Sequence, residues 1–233
     1  MASASDIRVL SGGATQGAFA VLTPAFEKQT GCKVAYVFEV TAALDARLAA
    51  GEKADVLVLP VPVLDNYEKA NRIKASARAT FGIVGVSVVV KEGAAKPDIS
   101  TTEKFRDAML AARSIVHATP GKTPSGTHLG KVMQDLGIAD AIAAKTIHKP
   151  ALDGGVEVVA SGAAEIGIYP ASEVAMVKGL SVVGPLPVGI ALDIVYGAAA
   201  LAGSADGPAF VRFMAAPENR GVWKAAGFGL PAS

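Results

Sequence analysis

The chain has 233 residues, of which 51% are hydrophobic and only 18% charged, and its formal net charge is +1. That balance excludes a disordered polyelectrolyte, a broadly basic nucleic-acid surface and a polybasic membrane anchor, and no apolar run reaches the ~18–20 residues of a membrane span. The single cysteine, Cys32, excludes an intramolecular disulfide and a cysteine-based zinc cluster, and Gly31-Cys32-Lys33-Val34 reads as a small buried hydrophobe where a turn enters a strand.

Residues 1–6 lack the charged and apolar regions of a secretory signal, although Ala2-Ser3-Ala4 resembles a processed junction. Residues 7–10 read as a strand. Phe19, Leu22 and Phe26 then recur at helical spacing, and Thr30-Gly31 closes that helix before a strand at 33–38. A helix at 42–50 ends at Gly51, and 54–59 is a fully apolar strand stopped by Pro60 and Pro62. A helix at 64–71 precedes the longest β-branched run, 83–91. Beyond it the pattern starts again with a helix near 102–111, a strand at 114–118, a polar loop at 119–131, helices at 129–136 and near 156–161, and a strand at 164–169. A strand-like segment at 193–201 and helices near 209–214 and 220–226 complete the chain.

Strands alternating with helices predict an α/β fold with mostly parallel sheets flanked by helices. The chain divides into two similar lobes, 1–84 with 191–233 and 85–190, crossing near 83–91 and again near 186–196. Ligands of α/β proteins sit outside the carboxyl ends of strands and at domain interfaces, so a cleft between the lobes is the expected site.

Two polar loops follow strands and precede helices, which is how a chain builds an anion seat from free backbone N–H groups and the positive end of a helix dipole. The first holds Ser11, Gly12, Gly13, Ala14 and Thr15. It reads equally as an ordinary turn with a cap, and it lacks the dinucleotide fingerprint. The second, 119–131, holds Lys122, Ser125, Gly126, Thr127 and His128 without Walker A spacing. Asp153-Gly154-Gly155 repeats the theme, with Asp153 as a cap and Gly154 and Gly155 leaving N–H groups free. Thr41 is placed as an N-cap whose hydroxyl can also serve a ligand. Arg47 reads as a solvated cation or a carboxylate holder, and Glu39 as a strand-end charge or a carboxylate facing the cleft. Tyr169 suits packing or hydrogen bonding to an anion. His128, near a helix start that disfavours imidazolium, is either a surface histidine or a neutral group able to exchange a proton. The histidines lack zinc spacing and no serine lies in Gly-x-Ser-x-Gly, so neither a metal centre nor an α/β-hydrolase is expected.

The segments 7–15, 38–48, 54–58, 119–132, 158–168 and 184–187, with Phe213-Met-Ala-Ala-Pro-Glu and Gly227-Phe-Gly-Leu-Pro near the end, resemble the molybdate-binding-like branch of bacterial periplasmic solute-binding proteins. The resemblance implies a two-lobed clamp, without cofactor, that delivers an anion to the membrane component of an ABC importer. It also implies a periplasmic monomer that neither binds nucleic acid nor inserts in the membrane. The molybdate binders' first-loop serine falls near Ala14, with Ser11 shifted earlier, and their second on Thr41. Their backbone donors fall on Ser125 and Gly154, and their ligand tyrosine on Pro170, one position after Tyr169. Val159-Ala-Ser-Gly162, Ser172-Glu173 and Gly184-Pro-Leu-Pro187 are more similar to a sister branch that also resembles an aconitate isomerase. Two functions therefore stand side by side. One is capture of an oxyanion such as molybdate, or of a small organic carboxylate. The other is an isomerase that moves a carbon–carbon double bond in a tricarboxylate by proton transfer, with His128 as first candidate base and Glu39 and Tyr169 as others.

Overall fold

The structure is a computed structural model and describes residues 6–229. The stretch compared above with a signal peptide falls outside the described residues but for Asp6, as do Leu230 and Pro231 of the C-terminal motif. In chain order the elements are β1 (Asp6–Gly12), α1 (Gln16–Thr30), β2 (Lys33–Glu39), α2 (Thr41–Ala49), β3 (Val56–Pro60), α3 (Val61–Lys69) and β4 (Ala75–Lys91). There follow α4 (Thr102–Ala111), β5 (Ile115–His117), α5 (Pro124–Asp135), α6 (Ala139–Ala143), β6 (Thr146–His148), α7 (Gly155–Ser161), β7 (Ile166–Pro170), α8 (Ala171–Val174) and β8 (Leu180–Pro185). The last are β9 (Asp193–Leu201), α9 (Gly207–Met214) and α10 (Arg220–Ala225). Two compact units result, one running to Val84 and resuming at Ile194, the other from Gly85 to Asp193.

In the first unit the strand order is β2-β1-β3-β9 with β4 beside β9. β1 runs parallel to both β2 and β3, whereas β9 is antiparallel to β3. The face of α1 that carries Phe19, Leu22 and Phe26 is buried, and Phe19 meets Phe81, Phe210 and Trp223 edge-on. Burial of each such side chain contributes about 1.5–3 kcal/mol, and the edge-on geometry sets positive ring edges against negative faces. A second cluster gathers Leu10, Leu44, Leu57, Leu59 and Leu64. Gly31 ends α1 in the left-handed region at φ 77°, the conformation that glycine adopts without Cβ strain.

In the second unit β8 lies on β4, and the order continues β4-β7-β5-β6. β5, β6 and β7 are mutually parallel, while β4 is antiparallel to β7 and β8. The pleat of β4 serves two cores: Val86, Val88 and Val90 pack with Phe105, Met109, Leu129 and Met133, and Val89 packs with Val116, Val159 and Tyr169.

The α/β class is observed, but the sheets are mixed rather than mostly parallel, because β4 and β9 each run against their parallel neighbours. The strand ends on Pro60, which still pairs with Tyr196 as the last residue of β3, while Pro62 sits in the first turn of α3, where a missing N–H costs nothing. β4 begins at Ala75, eight residues before the β-branched run, and its burial alternates along Ala-Ser-Ala-Arg-Ala-Thr, so period rather than residue type marks that half as strand. α5 begins at Pro124, five residues earlier than its apolar pattern, with Thr123 as cap and Pro124 at the first helical position. The short elements α6, β6 and β8 have no counterpart in the sequence reading.

Candidate functional site

In the first unit, the carboxyl ends of β1 and β2 stand side by side, with Gly12 opposite Glu39. Gly13, Ala14 and Thr15 form a 3-10 turn that leads into α1. Ser11 and Thr15 are fully buried, and their hydroxyl oxygens lie 2.7 Å apart. Both hydroxyls also reach the Gly12 carbonyl, at 3.0 Å from Ser11 Oγ and 3.2 Å from Thr15 Oγ1. Their protons are spent inside the loop, so what this turn offers a ligand is backbone N–H from the first turn of a helical run.

Thr41 is the first residue of α2, and Val40 holds the cap position with no side-chain cap bond, which corrects the expectation for Thr41. Arg47 is not a lone solvated cation: Nη2 donates to Glu39 Oε1 and Nη1 to Glu52 Oε2, each at 3.0 Å. Glu39 is accordingly held in an ion pair in this conformation. A cavity of about 710 Å³ in this unit lies at the opposite, amino edge of the parallel strands, by Arg8, Asp55 and Leu201.

In the second unit, β5, β6 and β7 deliver three segments to one carboxyl edge. After β5, Thr123 caps α5 by accepting from Gly126 N–H at 3.0 Å, and Gly121 N–H donates to Thr127 Oγ1 at 3.0 Å. Ser125 is buried with its hydroxyl 3.3 Å from that of Thr123, while Lys122 and Thr127 are exposed. Gly126 is required by close approach: a Cβ there would stand 2.5 Å from the Thr119 carbonyl oxygen and 2.6 Å from that of Ala118. His128, half-buried, places Nε2 2.9 Å from the Ile190 carbonyl oxygen. A carbonyl only accepts, so Nε2 carries the proton in this contact and Nδ1 is the ring's other nitrogen.

After β6 the chain passes Lys149 and a 3-10 turn to Gly154, at φ 84°, which itself caps α7; Asp153 makes no cap bond, contrary to expectation. Gly155 opens α7 so close to its neighbours that a Cβ would lie 2.3 Å from both the Lys149 carbonyl oxygen and the Tyr169 hydroxyl. That hydroxyl donates to the Lys149 carbonyl at 2.7 Å from a fully buried ring, and burial pushes its pKa far up. Tyr169 thus ties the exits of β6 and β7 together. Pro170 ends β7.

Two residues just beyond it were singled out in sequence only as part of a motif. Ser172, 1% exposed, has a hydroxyl with no hydrogen-bond partner. Beside it Glu173 is half-buried, and desolvation by its surroundings raises its carboxyl to about 7, with no hydrogen bond or ion pair to offset it. The sequence signal available for both was their place directly after a strand. A cavity of about 190 Å³ elsewhere in this unit is lined by His117 and His148, whose rings meet edge-on at 4.8 Å. His117 Nδ1 lies 2.8 Å from the Ala118 carbonyl oxygen, and burial pulls the ring down to about 4. No group of three or more His, Cys, Asp or Glu able to hold a metal occurs among the described residues, and no helix among them is long and apolar enough to cross a membrane.

The family model described as bacterial extracellular solute-binding protein matches residues 7–229. An aconitate isomerase from Pseudomonas sp is 30% identical over 189 residues, 78% of this chain and 71% of that protein. Among solved structures, the periplasmic molybdate-binding protein of Azotobacter vinelandii is similar with a TM-score of 0.78 at 22% identity, covering 97% of this chain and all, 100%, of that one. The sulfate-binding protein SubI from Mycobacterium tuberculosis is similar with a TM-score of 0.74 at 19% identity, covering 96% of this chain and 86% of that one.

Proposed function

The chain belongs to the bacterial extracellular solute-binding proteins, and from that premise we propose that it captures a small anion in the periplasm for uptake through an ABC importer. The observation that carries this reading is the carboxyl edge of the second unit, where the capped start of α5 stands beside the exposed Lys122. Backbone N–H groups at a helix start, a local cation and a net charge of only +1 suit an anion of limited size better than a polyanion. In the first unit the turn at Gly13–Thr15 and the start of α2 at Thr41 supply further N–H groups. In the second unit Ser125 does so, whereas the N–H groups of Gly126, Gly154 and Gly155 are already donated, to Thr123 Oγ1 and to the Ala151 and Pro150 carbonyls, which corrects the expectation that Gly154 and Gly155 leave theirs free. The two units act as the two lobes of the binding protein, and it works as a monomer without cofactor.

Isomerisation of a small tricarboxylate is the second reading, favoured by the 30% identity to the aconitate isomerase. It requires a group that removes a proton from one carbon of an allylic frame and returns it to another as the double bond shifts. His128 retains Nδ1 for such a task. Thermal-shift measurement with molybdate, tungstate, sulfate and a panel of di- and tricarboxylates tests the first reading: a ligand-specific rise that follows mass action supports it, and no rise with any anion overturns it. Proton NMR of each hit in D₂O tests the second. Deuterium incorporation into a carboxylate, lost in His128→Ala, would establish catalysis, and inert ligands would leave binding alone.

A further inference from the structure

The ends of β5 and β6 carry two imidazoles that the anion-binding reading does not use. His117 and His148 are the last residues of these neighbouring parallel strands and stand opposite each other in register, so their side chains leave the same face of the sheet. Their ring centroids are 4.8 Å apart and their planes lie at 79°. Two imidazoles on one metal ion, with metal–nitrogen bonds of about 2.0–2.1 Å at a near-tetrahedral angle, set their centroids about 5 Å apart. The pair already has that spacing. Strand pairing makes it, not the helical spacing that zinc motifs follow.

The tautomer of the inner ring suits such a role. His117 is 2% exposed, and its Nδ1 lies 2.8 Å from the Ala118 carbonyl oxygen, which only accepts, so Nδ1 carries the proton. In the neutral ring the lone pair is then on Nε2, the arrangement in which metal-binding histidines anchor one nitrogen on a carbonyl and present the other. His148 is exposed, and its ring is free to turn about its side-chain torsions. Both rings line the cavity of about 190 Å³, together with Met133 and the exposed Gln134 on α5 and Thr146 on β6. Thr146 Oγ1 spends its proton on the Ile142 carbonyl at 2.8 Å and keeps lone pairs. No Asp, Glu, Lys or Arg is among the described residues that line this cavity, so no carboxylate biases it toward a hard cation and no ammonium repels one.

We propose that His117 and His148 form a transition-metal site, in which the two imidazoles bind one Cu²⁺, Ni²⁺ or Zn²⁺ ion and water completes the shell. Imidazole suits these ions, and Cu²⁺ is expected to bind most tightly of the three. With two protein ligands rather than the three or four of a zinc centre, the site holds its ion reversibly. A metal there would join the exit of β5 to that of β6, as the Tyr169 hydroxyl joins those of β6 and β7. The proposal does not depend on which anion the chain takes.

Isothermal titration calorimetry of the full chain, prepared without an affinity tag, with Cu²⁺, Ni²⁺ and Zn²⁺ salts tests it. One equivalent of Cu²⁺ per chain is expected, with Ni²⁺ and Zn²⁺ binding more weakly, and electron paramagnetic resonance of the Cu²⁺ form should show hyperfine coupling to two imidazole nitrogens. His148→Ala, at an exposed position, should lower Cu²⁺ affinity at least about tenfold. His117→Asn, which keeps a donor for the Ala118 carbonyl, should do the same, and urea unfolding checks that this variant is folded. Each replacement should also remove the rise in Tm that the ion gives the wild-type chain. No binding of any of the three ions, or Cu²⁺ binding that either variant retains at full strength, overturns the proposal and leaves the two rings as a packed aromatic pair. These titrations contain no ligand anion, so anion capture stands or falls separately.

Discussion

The polar loop after β1 and the polar segments after β5, β6 and β7 occupy equivalent places in their units, yet they spend their chemistry differently. In the first unit Ser11 and Thr15 hydrogen-bond each other and Gly12, so side chains hold the turn in shape. In the second unit glycines packed against backbone, Gly126 on the exit of β5 and Gly155 on the exit of β6, share the work of holding shape with the Thr123, Thr127 and Tyr169 hydroxyls. That leaves Lys122, Ser172 and Glu173 uncommitted. An edge braced in part by backbone contact keeps more of its side chains for a ligand than a turn whose hydroxyls are all spent on holding it.

The largest expected effects break this contrast at its glycines. Gly155→Ala and Gly126→Ala each push a methyl within 2.6 Å of backbone carbonyl oxygens. These atoms cannot swing aside, so each should destabilise by at least about 3 kcal/mol in urea unfolding. At Gly12 the nearest atom to a Cβ is Tyr196 Cε1 at 3.4 Å, an ordinary contact, and φ is −63°. Gly12→Ala should therefore cost under about 1 kcal/mol. An equal loss at all three positions would mean that both edges are held alike.

Next in size is a pair of opposed proton linkages, both in the second unit. His117, held down to about 4 from 6.5, refuses a proton that the unfolded chain binds, so its contribution is full above 6.5 and is lost as pH falls toward 4. Glu173, raised to about 7 from 4.5, keeps a proton that the unfolded chain releases, so its contribution is full below 4.5 and is lost as pH rises toward 7. Between 4.5 and 6.5 each state holds one proton and the two slopes cancel. The Lys104-paired Asp98, held near 2, and the lowered Glu27, Asp45 and Glu52 titrate below that window. Wild-type stability should thus be nearly flat across it. His117→Asn, which keeps a donor for the Ala118 carbonyl, should lose about 2 kcal/mol as pH rises through the window, and Glu173→Gln should gain about as much. Parallel curves for wild type and both variants would remove the burial argument for these two groups.

What the sequence disclosed follows the same divide between local and long-range causes. Helices with an apolar face and a local stop, such as α1 with its Phe19, Leu22, Phe26 stripe and Gly31, were legible, as were β9 and α4 to the residue. β6 was hidden because three residues beside β5 make a strand only through their partner. At the site, Gly126 and Gly155 were visible as glycines, but the carbonyls that require them lie at 118–119 and 149–150, beyond any local pattern. His128 drew attention through its neighbours in sequence, whereas the Ile190 carbonyl that fixes its proton lies 62 residues away. Glu173 was overlooked as a titrating group for the same reason: its character is made by what surrounds it, and nothing in Pro170-Ala-Ser-Glu states that surrounding.

The smallest effect separates two threonines, Thr41, read in sequence as a cap, and Thr123, which in sequence lies within the polar loop at 119–131. Thr123 has extended backbone at φ −134° and its hydroxyl accepts from Gly126 N–H, so Thr123→Ala should cost about 1 kcal/mol by orphaning that donor. Thr41 already lies inside α2, Val40 holds the cap position, and no cap bond is made, so Thr41→Ala should change stability by less than about 0.5 kcal/mol. A ligand would invert the ranking of consequence. If the Thr41 hydroxyl serves a bound anion, Thr41→Ala weakens binding in calorimetry while leaving urea unfolding in place, which a structural cap cannot do. A loss of stability at Thr41 equal to that at Thr123, with affinity unchanged, would instead make both threonines structural and leave the first unit with backbone donors alone.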